Sequence, residues 1–122
     1  MLKNNLEYKY KNPKGEVVSK NASTVINIIK DTILKYVDAK YIYLFGSHAY
    51  GSPKDNSDID ICVVTSNNMK DSLELYSNIM LELSKKKIYF VDLLFSREDS
   101  FKKKEYLVEK IIHEKGKLLY EQ

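Results

Sequence analysis

Three short apolar runs constrain this chain more than any other feature: Tyr41-Ile42-Tyr43-Leu44-Phe45, Asp58-Ile59-Asp60-Ile61-Cys62-Val63-Val64 and Ile88-Tyr89-Phe90-Val91-Asp92-Leu93-Leu94-Phe95. Each is rich in aromatic and β-branched residues and too short for a buried helix, so each reads as a strand. The segments around them carry the helical period instead. Val25, Ile28/Ile29, Ile33 and Tyr36/Val37 recur at three- and four-residue spacing from Ala22 onward, with Asn21 or Ser23 as N-cap. Met69 to Ser84 places Leu73, Tyr76, Met80 and Leu83 on one stripe, and Ser100 can cap a last helix to about Lys115, with Tyr106/Leu107/Val108 and Ile111/Ile112 inward. Gly116 ends that helix, and Lys117-Leu118-Leu119-Tyr120 can close the sheet. Helices and strands in this order predict an α/β (α+β) fold, one small mixed β-sheet with flanking helices. Residues 1–20 are polar and basic around the turn signal Asn12-Pro13-Lys14-Gly15, an N-terminal arm or tail; residues 21–122 form the single domain.

Composition removes several classes of function. A chain of 122 residues holds one domain, and 43% hydrophobic with 30% charged residues is an ordinary globular mix. No apolar run approaches the ~18–20 residues that span a bilayer, and Met1 to Glu7 lack a secretory signal's apolar stretch. The expected location is cytoplasmic, with no membrane partner. Cys62 is the single cysteine, so neither a disulfide scaffold nor a zinc cluster is available. The net charge is +3, and Arg97 is the only arginine. Arginine forks that read base edges are missing, as is a helix-turn-helix signature, which argues against direct sequence-specific DNA binding.

The acids stand where carboxylates are expensive. Asp58 and Asp60 lie two apart on one strand, so both leave the same face with Cα atoms ~7 Å apart. Asp92 interrupts an apolar strand, where an unpaired carboxylate costs several kcal/mol. A divalent cation would relieve both, and hard oxygen ligands favour Mg²⁺, two ions being the usual arrangement for in-line phosphoryl displacement. Gly46-Ser47 directly follows a strand and opens a short helical segment, where backbone N–H groups and the hydroxyl can cradle phosphate. Singly, each feature has a plain structural reading: a tight turn, a solvated strand start, an edge charge. In this order they describe a nucleotide-handling site.

Gly46-Ser47, ten residues, then Asp58-x-Asp60 matches the spaced signature of the nucleotidyltransferase superfamily, which is similar to the palm of DNA polymerase beta. Leu44 to Gly51, Ser57 to Ile61, Val91-Asp92-Leu93 and the ending Ile111 to Glu121 resemble the minimal nucleotidyltransferases, the MNT family. The resemblance covers roughly residues 22–121. It implies that Gly46 and Ser47 grip the nucleotide's phosphates, that Asp58, Asp60 and Asp92 bind Mg²⁺, and that Asp92 completes the site where the attacking hydroxyl is activated. One position departs: many members carry arginine where this chain has Tyr50, with His48 or Lys54 near enough to compensate. His48 also reads as a solvent-facing loop residue, and Arg97, just after the third strand, as a candidate phosphate contact. Cys62 reads as core, His113 as exposed, and the lysine triplets at 85–87 and 102–104 as solvated helix ends.

A catalytic palm with no acceptor domain implies a folded acceptor. Stand-alone MNT proteins resemble antitoxins that pair with a HEPN-domain RNase toxin and transfer AMP from ATP to its tyrosine hydroxyl. The expectation is therefore an adenylyltransferase antitoxin, using ATP and Mg²⁺, with a HEPN toxin as partner. Two other readings stay open: a non-catalytic antitoxin that binds its toxin directly, and a nucleotidyltransferase acting on a small molecule such as an antibiotic.

Overall fold

The computed structural model describes residues 7–11, 14, 17–51, 58–69 and 72–122. Strand β1 (Glu7–Lys11) pairs antiparallel with β2 (Val17–Asn21), Glu7 lying opposite Asn21. Residues 7–11 and 17–21 thus pair as a hairpin; the residues between them, apart from Lys14, lie outside the described residues. Helix α1 (Ala22–Tyr36) follows without a linker because Asn21 is its N-cap, the side-chain oxygen accepting from Thr24 N at 3.2 Å.

The remaining elements are β3 (Ala39–Phe45), the single turn α2 (Ser47–Tyr50), β4 (Ile59–Thr65), α3 (Ser72–Lys85), β5 (Val91–Arg97), α4 (Glu98–Lys103), α5 (Leu107–Lys115) and β6 (Lys117–Glu121). Four strands form one sheet in the order β5-β4-β3-β6. Only β4 and β5 run parallel, with α3 as the crossover; β3 is antiparallel to both neighbours. The sheet is mixed, as the alternation of periods predicts.

Side chains alternate between two cores. Ile42, Leu44, Ile61 and Val63 face Ile29 and Ile33 of α1 and Ile79 and Leu83 of α3. Cys62 and Val64 face the opposite way, against Phe101 of α4 and Ile112 of α5. Strand β4 is fully buried from Ile61 to Val64 and is the axis of the molecule. Each such side chain is worth about 1.5–3 kcal/mol of burial.

Two expectations need correction. The third strand starts at Val91, not Ile88. Lys87 takes a left-handed φ of 63°, and Ile88 N donates to Leu83 O at 2.9 Å, which makes Ile88 the buried C-terminal stop of α3. The last helix is broken in two. Lys104 is left-handed (φ 53°), and α5 starts anew at Leu107. Ser100 lies inside α4 rather than capping it. The N-terminal group that holds α5 is Glu109, whose carboxylate accepts from Tyr106 N at 3.0 Å and from the Ser100 hydroxyl at 2.8 Å.

Candidate active site

Strand polarity assembles the site. Parallel pairing of β4 and β5 sets Asp60 directly beside Asp92, both at the N-terminal ends of their strands and on one sheet face. Asp58 precedes β4 by one residue and is exposed at the same end. Antiparallel pairing brings Phe45, the last residue of β3, opposite Asp60, so the chain turns at Gly46 over that carboxylate.

This turn requires glycine twice over. Gly46 has a φ of +73°, and a Cβ on it would overlap the Asp60 carboxylate. Its carbonyl then accepts from Ala49 N at 3.0 Å and Tyr50 N at 3.2 Å, while Gly51 N closes back on Ser47 O at 3.0 Å. The Gly46-Ser47 turn and the Asp60 carboxylate therefore touch, although twelve or more residues separate them in sequence. Burial pushes Asp60 up to about 6, and the neighbouring charges of Asp92 and then Asp58 push the same way. Among the described residues, no ion pair offsets this carboxylate.

The donor set fits a hard divalent cation, since oxygen is the only ligand atom the three acids offer. Among the described residues, no three carboxylate, imidazole or thiol groups stand close enough to form a finished metal cage. The acids cluster at the N-terminal ends of β4 and β5, and a cation would have to draw them together.

Other candidates fall elsewhere. Arg97 is at the far end of β5 from Asp92, because the acids sit where the parallel strands begin and Arg97 where they end. Its guanidinium donates to Asn67 O at 3.1 Å and Met69 O at 3.3 Å, so it pins a loop. His48 is not solvent-facing: only 8% of it is exposed. Lys54 and Ser57 lie outside the described residues. Cys62 is buried as expected, and burial, with a smaller push from Glu109, raises its thiol to about 12.

A cation absent from the sequence reading enters from the other end of the chain. Pairing of β6 with β3 sets Lys117 opposite Leu44 and brings the end of α5 beside α2. Lys115 Nζ lies 5.7 Å from the centre of the Tyr50 ring. No local pattern announces this; only the antiparallel closure of β6 does.

Comparison with known proteins identifies the family and the fold. The family model described as polymerase beta nucleotidyltransferase matches residues 27–122. No curated protein matches the sequence. A solved toxin-antitoxin structure with AMP-PNP contains a chain 24% identical, with a TM-score of 0.60, covering 79% of this chain and 73% of the other. A tri-AMPylated Shewanella oneidensis HEPN toxin in complex with an MNT antitoxin gives 22% identity and a TM-score of 0.57, covering 82% and 72%. A protein from Sulfolobus solfataricus named as a nucleotidyltransferase gives 21% and 0.58, covering 81% and 79%. At these identities the shared property is the fold.

Proposed function

This chain belongs to the polymerase beta nucleotidyltransferase family, and from that premise we propose that it is an antitoxin that transfers AMP from ATP to a tyrosine hydroxyl of a HEPN-type RNase toxin. The observation that carries the reading is the contact of the Gly46 turn with Asp60, with Asp92 in register beside it. Two of the structural neighbours carry matching chemistry in their own descriptions, an ATP analogue in one and an AMPylated HEPN toxin in the other.

Each residue then has a task. Gly46 and Ser47 hold the terminal phosphates against the turn's N–H groups and hydroxyl, and Lys115 lends its charge from beside Tyr50. Asp58, Asp60 and Asp92 hold Mg²⁺, two ions in the full complement, which when bound supplies positive charge for the phosphate oxygens. Asp92, exposed on the edge strand, takes the proton of the acceptor hydroxyl. The hydroxyl oxygen forms a bond to the α-phosphorus, the bond from that phosphorus to the β-phosphate oxygen breaks, and pyrophosphate leaves with the electron pair. ATP as donor places the reaction in the cytoplasm. Residues 21–122 act as one catalytic domain, with the β1–β2 hairpin as its arm. Among the described residues, no helix is long and apolar enough to cross a membrane.

The test incubates the protein with a HEPN-domain partner, ATP and Mg²⁺ and weighs the partner by mass spectrometry. An AMP adduct on tyrosine that disappears with Asp60→Asn is expected. Toxin silencing that persists without ATP and in the Asp58→Asn/Asp60→Asn double variant would replace this reading with contact-only neutralisation. Adenylylation of an aminoglycoside with no protein partner would replace it with small-molecule transfer.

A further inference from the structure

Lys115 reaches the site through the fold, from the far end of the chain. Asp60 and Cys62 lie two apart on β4 and so share one face of the sheet. Cys62 packs with Ile112, which puts α5 over the face that carries the acids. Lys115 lies three residues beyond Ile112, on the same side of that helix. Lys117, two residues on, pairs with Leu44 next to the Gly46 turn, so α5 ends at the acids' end of the sheet. Gly116 makes that ending tight: its N–H donates to Ile112 O at 2.8 Å, and a Cβ there would stand 2.6 Å from the same oxygen.

The single turn α2 supplies the other half. His48 and Ala49 are buried, whereas Ser47 and Tyr50, three apart, share the open side. Tyr50 is 46% exposed, and Lys115 Nζ lies over its ring, within the ~6 Å at which an aromatic face holds a cation. Among the described residues, no ion pair engages Lys115. Strand order sets a direction across the site. In β5-β4-β3-β6, Asp92 stands on one side of Asp60, and the Gly46 turn with Tyr50 and Lys115 on the other. A triphosphate whose α-phosphorus sits by Asp60 and Asp92 therefore crosses the Gly46 turn and extends its last phosphate toward Lys115.

The geometry points to Lys115 as the residue that reads the terminal phosphate of the donor, and to Tyr50 as the positioning residue that holds it there, so that the site selects nucleoside triphosphates over diphosphates. This rests on the nucleotidyl-transfer reading and deepens it, naming the end of the donor that is recognised. Tyr50 acts through the face of its ring and not through its hydroxyl. Ring, hydroxyl and charge can therefore be separated by substitution.

Calorimetry on the full chain with Mg²⁺-ATP and Mg²⁺-ADP is the test. Lys115→Ala and Tyr50→Leu are each expected to weaken Mg²⁺-ATP about threefold and to leave Mg²⁺-ADP unchanged. The Tyr50→Leu/Lys115→Ala double variant is no weaker than either single one, because the two residues act as one unit. Tyr50→Phe recovers the affinity that Tyr50→Leu loses, and Tyr50→Arg restores it in the Lys115→Ala background, since the arginine carries the charge itself. Equal weakening of both nucleotides by Lys115→Ala, additive losses in the double variant, or a Tyr50→Phe loss equal to that of Tyr50→Leu overturns the pairing. Wild type that binds no Mg²⁺-ATP overturns the nucleotide site and this subsite together. Mg²⁺-ATP binding with the full pattern of variants, but no AMP adduct on a HEPN partner, overturns the transfer reading alone and leaves the subsite standing.

Discussion

Asp60 and Glu82 are both carboxylates on regular elements of this chain, and the fold treats them in opposite ways. Glu82 of α3 accepts from Lys35 at 2.7 Å, Tyr36 at 2.7 Å and Lys86 at 2.9 Å, and these hydrogen bonds, Lys35 first, lower it to about 2. It fastens α3 to α1. Asp60 is half-buried beside two further acids and is raised to about 6. A structural carboxylate brings its cations with it; the site carboxylate leaves its charge to be met by something that arrives.

Substitutions at four positions test that contrast. Asp60→Asn is expected to lower AMP transfer by about 10²–10³-fold while raising the melting temperature of the metal-free protein at pH 7–8. The sign follows from linkage: with a raised folded pKa, wild type loses stability as pH climbs from about 4, the unfolded value, to about 6. The advantage of the amide therefore fades below about pH 4, and added Mg²⁺ should stabilise wild type alone. An Asp60→Asn melting curve below wild type at pH 8 without metal would break the contrast.

Gly46→Ala should abolish measurable transfer and destabilise the fold by about 1–2 kcal/mol from the left-handed backbone alone, with the Asp60 overlap in addition; urea denaturation reads the second effect. Lys115→Ala should raise KM for ATP by about threefold with kcat held, and Lys115→Arg should restore it. Glu82→Gln should cost a small, salt-sensitive part of the melting temperature. That part is present above about pH 4.5, shrinks as pH falls towards the folded value of about 2, and leaves transfer untouched.

That the acids and the Gly46 turn meet is legible from sequence because the signals are local. A strand ending in Gly46-Ser47 and acids at a strand start are short-range patterns, and pairing merely brings them together. Asn21 as N-cap is equally local. What escaped depends on chain direction and distant closure. Arg97 follows Asp92 by only five residues, but a strand stretches those residues to ~16 Å. Lys115 reaches Tyr50 only because β6 runs back along β3. The apolar trio Tyr106/Leu107/Val108 read as one inward stripe; restarting the helix at Leu107 turns Tyr106 and Leu107 outward. The hidden Ser96–Glu109–Ser100 cluster joins polar residues whose sequence context is unremarkable.

Cys62, shut between β4 and the α4–α5 layer with its thiol raised to about 12, gives the molecule a built-in clock. As the only thiol in the chain, it should be invisible to maleimide until that layer lifts. The rate of labelling then counts how often the floor beneath the acids comes apart, with no cysteine introduced by mutation.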